Sequence, residues 1–423
     1  GLSPDPRLFS SRVHAQADRA LWEVGLLAVG YKAFMPLRVK GRHTLVSSAQ
    51  GTTGHLVSVA VPVYNVEHYL AQCLDSIRSS LGKQLQVVIV NDGSTDGSLA
   101  IAEAFAQRAE SDPHLPDVSI VTKPNGGYGA AVNRGFDESD GMYVGIVEPD
   151  DYLAGDLFGE LYAIAEASDM PDIVKSTYKR VWMPDTPQQR IWGSLLRHRG
   201  VRTWRRGCTN LGESPLLVRW HPSVWSAIYR RDFLTSTGTR FIEAPGAGWV
   251  DNPFVMRAMC QADRIAFTDD AWYCYREDRP GSSSVTKAPT LSLTRWLQMA
   301  DEVAQSRWAT DGGVLTSLAS IGFRYASHLW NTPEARDPEV TKLLECVLGA
   351  IPLDIALSLD DVSPAAKQRY LDATHQNGDI GKAMTYRMAM IRELLYSWRE
   401  NGMFFACERA GLHRHPAKTQ HIS

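Results

Sequence analysis

Three carboxylates fall within four residues at Glu148-Pro149-Asp150-Asp151, directly after the apolar run 142–147. Such a cluster repels itself unless a cation lies among its oxygens, and hard carboxylate oxygens suit Mg²⁺ or Mn²⁺. Mg²⁺ in particular is held by one or two carboxylates together with the oxygens of a diphosphate, so the turn reads as a metal and diphosphate site. A solvated acidic turn capping the next helix is the plain alternative. Three other apolar runs also end in polar turns: Pro62-Val63-Tyr64-Asn65, Asn91-Asp92-Gly93-Ser94-Thr95-Asp96 and Lys123-Pro124-Asn125-Gly126-Gly127-Tyr128-Gly129. Asp92 is able to accept a hydrogen bond from a base imide, or to serve the turn alone. The stretch Gly127-Tyr128-Gly129-Ala130-Ala131-Val132 nearly matches a dinucleotide fingerprint, with Glu148 about 20 residues further on. It follows the third strand, however, and Val132 stands where close helix packing needs Gly or Ala.

These turns need elements to bring them together. The apolar runs 56–63, 85–90, 118–121 and 142–147 alternate with helix-like segments, which implies an α/β fold with a mostly parallel sheet flanked by helices. In such a sheet ligands bind outside the carboxyl ends of the strands, where all four turns would converge. Residues 1–55 read as an N-terminal helical segment and linker, 56–287 as the α/β domain and 288–423 as a C-terminal helical region. The 423 residues carry 44 Lys and Arg against 47 Asp and Glu, a net charge of −3 that leaves no global field to hold nucleic acid. The six cysteines are scattered without metal spacing, and no run of about 18 uncharged apolar residues occurs. A cytoplasmic protein with reduced thiols is expected.

At residues 56 to about 285 the ordered set of motifs resembles a family 2 glycosyltransferase with the GT-A fold, a Rossmann-like domain that binds nucleotide sugars, of the type that builds bacterial cell-surface polysaccharide or glycolipid. Val61-Pro62-Val63-Tyr64-Asn65 resembles the opening motif, Asp92-Gly93-Ser94-Thr95-Asp96 the acidic turn, Asn125-Gly126-Gly127 with Asn133 the glycine-rich segment, and Glu148-Pro149-Asp150-Asp151 the metal motif. The resemblance implies that Pro62, Tyr64, Asn65, Asp92, Gly126, Gly127 and Asn133 surround the nucleotide, that Asp150 lies near ribose and diphosphate, and that Asp151 holds Mn²⁺ or Mg²⁺. It departs at Glu148, where the family has Asp, and at Val132, where many members have Arg.

Gly248-Trp249-Val250-Asp251-Asn252 occupies the place of the family's Glu-Asp pair, which makes Asp251 the expected base, or else the cap of the helix that follows. Glu243 is the reserve candidate. Arg276 and Arg279 resemble the flexible segment near the donor diphosphate and would clamp its oxygens. His221, Trp225 and Trp249 are candidates for acceptor contact, the tryptophans by stacking on sugar rings. Five arginines, Arg197, Arg199, Arg202, Arg205 and Arg206, suit a phosphate-bearing acceptor or an anionic membrane, or form a solvated loop. The tail from Phe404-Phe405 to Lys418 and the helix around Trp22 either touch a membrane or dock on the body.

The expected activity is transfer of a sugar, with inversion, from a nucleotide-diphosphate sugar (a UDP-sugar first) to a hydroxyl of a glycan or glycolipid. Peripheral contact at the inner face of the cell membrane is an option. A non-catalytic glycan- or partner-binding protein on the same scaffold is the main rival, and an oxidoreductase built on Gly127 and Gly129 a weaker one.

Overall fold

The structure is a computed structural model that describes residues 54–409, apart from 185, 187, 188, 195, 197, 247, 278–288 and the side chains of 404 and 407–409. All but the last two positions of the N-terminal segment 1–55, Arg197, Arg279 and the tail beyond 409 therefore lie outside the described residues.

Among the described residues nine strands form one sheet: β1 (Val57–Val63), β2 (Leu85–Asn91), β3 (Asp117–Thr122), β4 (Tyr143–Ile146), β5 (Tyr152–Leu153), β6 (Ile173–Trp182), β7 (Arg190–Gly193), β8 (Ala227–Arg230) and β9 (Ile265–Arg276). Their order is β3-β2-β1-β4-β8-β6-β9-β5, with β7 paired to β6. The first four run parallel. Strand β8 is antiparallel to both β4 and β6, whereas β6 and β9 pair parallel. Every side chain of β1 is buried, as expected where helices cover both faces of a parallel sheet. At the edge, β3 turns Asp117, Ser119 and Thr122 outward, and a polar edge of this kind resists pairing with another chain.

The helices Pro289–Ala304, Gly312–Leu329, Pro338–Ala350 and Pro364–Thr374 follow the apolar periodicity of the C-terminal region. Asp311, Asp337 and Ser363 accept hydrogen bonds from the first-turn amides of three of them, satisfying donors that a helix leaves unpaired. Their apolar faces join the sheet's core rather than a core of their own, since Trp296, Phe323 and Tyr370 belong to one continuous buried cluster with β1 and β4. The helix Pro289–Ala304 packs against the helix Asp251–Gln261. The C-terminal helices thus form a wall of the α/β body at the end where Asp251 lies.

Candidate active site

The acidic turn sits where β4 ends and is tied to the last strand of the sheet. Strand β5 pairs Tyr152 with Cys274 and Leu153 with Tyr273, which fixes the turn against β9. The Tyr273 hydroxyl donates to Asp151 Oδ2 at 2.9 Å and accepts from the Glu148 amide at 3.1 Å. The Arg276 amide donates to Asp151 Oδ1 at 2.8 Å. Asp151 is only 2% exposed, and burial, followed by the charges of Asp150 and Glu148, pushes its pKa well above the usual carboxylate range. Both Asp151 oxygens are therefore engaged inside the protein. Asp150 and Glu148 are both half-buried, more exposed than Asp151. Asp151, the metal ligand that the resemblance implies, thus also holds the turn in shape through its oxygens. Among the described residues no three His, Cys, Asp or Glu side chains make a metal cage alone. A cation here would be held by Asp150, with Glu148 beside it, and by oxygens of a bound diphosphate, a set that fits Mg²⁺ or Mn²⁺.

Asp92 is also committed. Gly126 and Gly127 amides donate to its two oxygens at 3.0 and 2.9 Å, and Lys123 forms an ion pair with it. It shapes the glycine-rich loop, and a base would have to share these oxygens. Around it, Asn65 adopts φ 50° and accepts from the Thr95 amide at 2.8 Å, which ties the end of β1 to the turn after β2. Pro62 is buried in β1 and Tyr64 is exposed at its end.

The Gly-Tyr-Gly glycines have a different purpose from that of a dinucleotide fingerprint. A Cβ on Gly127 would lie 2.2 Å from the Ala244 carbonyl oxygen, and one on Gly129 would lie 2.2 Å from that of Ile242. The chain's own segment 241–246 fills the space that a cofactor pyrophosphate would need, which removes the oxidoreductase reading. Asn133 completes this join: its Oδ1 accepts from the Phe241 amide, and its Nδ2 donates to the Phe241 carbonyl and to Glu243 Oε1, each at 3.0 Å. Asn133 is 2% exposed, so it is a clamp on segment 241–243 and not a nucleotide contact. Val132 is fully buried, so no phosphate contact arises there. Glu243 stays exposed while accepting from Asn133.

Segment 241–246 leads into Asp251, the first residue of its helix. Burial pushes the Asp251 pKa up to about 6, against hydrogen bonds to Asn252 and itself and the Arg295 charge, which lower it. Burial, then the Glu148 carboxylate, raises the Tyr128 hydroxyl well above its ordinary range, and that hydroxyl donates to Glu148 Oε1 at 2.6 Å. The Tyr128 amide donates to the Gly246 carbonyl at 3.0 Å, so Tyr128 joins the acidic turn to the segment that leads into Asp251. Trp249, two residues earlier, sits at φ 53°, a left-handed conformation that costs a bulky residue about 1 kcal/mol or more. Its ring meets Tyr325 edge-on at 5.5 Å, and the Tyr325 hydroxyl donates to Asn252 Oδ1 at 3.3 Å. Arg295 donates to the Gly248 carbonyl at 2.8 Å. Two residues of the C-terminal helices thus hold the loop that carries Asp251.

Other expected residues are placed elsewhere. Trp225 is 3% exposed and stacks on Tyr273 at 4.0 Å and Tyr275 at 5.4 Å, so it supports the acidic turn from inside and is not an acceptor platform. The His221 ring meets Tyr275 at 5.4 Å and Trp225 at 5.9 Å beside this stack, and accepts from the Ser223 amide. Arg276 is 6% exposed, bonded to Gln72 and packed by Tyr69 and Tyr152, so its guanidinium braces the turn and is not open to clamp a diphosphate. In the arginine-rich loop, Arg199 is forked onto Glu393 at 2.5 and 2.8 Å and Arg202 pairs with Glu213 at 3.0 Å, which uses part of its charge internally. Five of the six cysteines, Cys73, Cys208, Cys260, Cys274 and Cys346, are free thiols.

Tyr128, Tyr273, Tyr325 and Arg295 escaped sequence reasoning. The first lay hidden between two glycines, the second inside an apolar run, and the last two in helices with no motif to place them.

Comparison with known proteins agrees with this geometry. Residues 58–234 match the model of glycosyl transferase family 2. The chain is 30% identical over 240 residues to the uncharacterised glycosyltransferase EpsJ of Bacillus subtilis, covering 55% of this chain and 64% of EpsJ. It is 30% identical over 226 residues to the uncharacterised glycosyltransferase YibD of Escherichia coli, covering 52% of this chain and 60% of YibD. The matches thus leave over a third of each relative unspanned. The crystal structure of S. aureus TarS 1–349 in complex with UDP-GlcNAc superposes with a TM-score of 0.60 at 21% identity, covering 81% of this chain and 91% of that one. The chain thus carries, at residues 58–234, a match to glycosyl transferase family 2 within a GT-A fold.

Proposed function

We propose that the chain transfers a sugar, with inversion at the anomeric carbon, from a nucleotide-diphosphate sugar to a hydroxyl of a glycan or glycolipid. The observation that carries this reading is Tyr128, whose hydroxyl donates to Glu148 in the acidic turn and whose amide donates to the Gly246 carbonyl in the segment that leads into Asp251. A donor diphosphate belongs at the first end and an acceptor hydroxyl at the second. Because TarS has been crystallised with UDP-GlcNAc, a UDP-sugar is the first donor to try.

Asp251 takes the proton of the attacking hydroxyl. Its pKa of about 6 leaves it ionised at neutral pH yet more basic than an ordinary carboxylate, which is the compromise a general base needs. Trp249 and Tyr325 offer aromatic surface beside it for a sugar ring. At the other end Asp150, with Glu148 beside it, would hold Mg²⁺ or Mn²⁺, which when bound would stabilise charge on the leaving group. Tyr128 holds Glu148 in place, and Asp151, Tyr273 and Arg276 keep the turn rigid.

Nucleotide release from a panel of UDP-, GDP-, TDP- and CDP-sugars, with Mn²⁺ and glycan or glycolipid acceptors, tests the reading. One donor should be consumed in the presence of an acceptor. Donor binding without turnover under any condition would favour the non-catalytic rival.

A further inference from the structure

The long C-terminal helix is turned inside out. In the helix Ala383–Arg409, which is kinked at Gly402, the polar side faces the body: Glu393 holds Arg199, Glu400 accepts from His198 at 2.7 Å, and Asn401 accepts from the Gly193 amide at 2.7 Å. Beyond the kink Phe405 docks on Trp192 at 5.0 Å, so the start of the aromatic tail lies on the body. The opposite side is apolar and open. Met384, Met388, Ile391, Leu395 and Trp398 are 61, 49, 47, 54 and 56% exposed, and their spacing of four, three, four and three residues makes one continuous stripe. An ordinary surface helix has these two faces the other way round.

The charges beside the stripe indicate what covers it. Arg387, Arg392 and Arg399 are exposed and flank it; Arg392 pairs with the half-buried Asp360 at 2.6 Å and Arg399 with Glu400 at 3.3 Å. The acids of the helix up to the kink are Glu393 and Glu400; both bond the body, Glu393 through Arg199 and Glu400 through His198. A second copy of the chain would set arginine against arginine along such a seam, whereas a coiled coil places opposite charges there. Apolar residues with a tryptophan, edged by three arginines, match the boundary between headgroups and acyl chains of an anionic bilayer. No described helix is long and apolar enough to cross a membrane, so the contact is peripheral.

We propose that the stripe Met384, Met388, Ile391, Leu395 and Trp398 is a membrane-docking face that lays the protein on an anionic lipid surface. The inference does not depend on the transfer reaction. The test is flotation of the full chain with vesicles of phosphatidylglycerol and phosphatidylcholine, and with phosphatidylcholine alone, at low and high NaCl. The wild-type chain should float with the anionic vesicles and be released by salt. A Leu395→Glu, Trp398→Glu variant should bind about tenfold less or weaker still, and Arg387→Glu, Arg399→Glu should also lose binding, with melting temperatures unchanged because all four side chains are exposed. Three results would overturn the proposal: no flotation of the wild-type chain, undiminished flotation of the Leu395→Glu, Trp398→Glu variant, or a dimer that this variant converts to monomer.

Discussion

Asp251→Asn should make the protein slower and more stable together. Burial raises the Asp251 pKa from 3.8 to about 6, so the folded state pays to ionise this carboxyl while the unfolded chain does not. Below about pH 4 the group is protonated in both states and the penalty is absent; it grows between pH 4 and 6 and is fully present above that. Two pKa units correspond to at most about 3 kcal/mol. Asparagine keeps an oxygen for the Asn252 side chain, which donates to Asp251 Oδ1 at 3.2 Å, and removes the charge. For a folded body of ~350 residues, with an unfolding entropy of roughly 0.7 kcal/mol per kelvin, that gain is about 4 °C in melting temperature. Scanning calorimetry of both proteins from pH 4 to 8 should show the difference opening as pH rises. In the same pair, transfer should fall by about 10²- to 10⁴-fold, and the wild-type kcat/KM should drop below an apparent pKa near 6 that the variant lacks. A variant no more stable at pH 7.5, or one turning over within about tenfold of wild type, would refute the buried-base reasoning.

Asp150 and Asp151 should separate: Asp150→Ala should abolish metal-dependent donor binding in calorimetric titration, whereas Asp151→Ala should lower the melting temperature by freeing Tyr273 and the Arg276 amide. Gly129→Ala should be strongly destabilising in urea, because its methyl group meets the Ile242 carbonyl at 2.2 Å and backbone must move. Asn133→Ala removes three hydrogen bonds to segment 241–243 and should cost about 2–4 kcal/mol in urea unfolding, with donor affinity falling only as far as the loop is displaced.

Much of the site's outline was legible in sequence because a parallel sheet places the ends of successive strands on one edge. The runs leading to Asn65, Asp92, Gly126 and Asp150 each became a strand of that edge. Individual roles were harder to read. Asp150 and Asp151 are neighbours of one chemical type, and only the hydrogen bonds from Tyr273 and Arg276 distinguish the buried carboxylate from the half-buried one. Asn133 looked like a ligand contact because its partner, segment 241–243, lies about 110 residues away. Strands β6 and β9 were not expected, since polar residues such as Lys175, Thr177 and Asp270 interrupt their apolar pattern. Lys175 is nevertheless buried, with its Nζ donating to four oxygens of the 222–226 turn. Burial holds its pKa down at about 7.

If the proposed function holds, the edge bearing Asp150 binds a nucleotide-diphosphate sugar through a divalent cation. Thermal-shift measurement of the full chain with UDP-, GDP-, TDP- and CDP-sugars, each in Mn²⁺, Mg²⁺ or EDTA, tests it most directly, because a ligand that binds the native state raises its melting temperature. A rise is expected with one nucleotide class, and it should disappear in EDTA and in Asp150→Ala. A rise that survives both, or no rise with any donor, would contradict it.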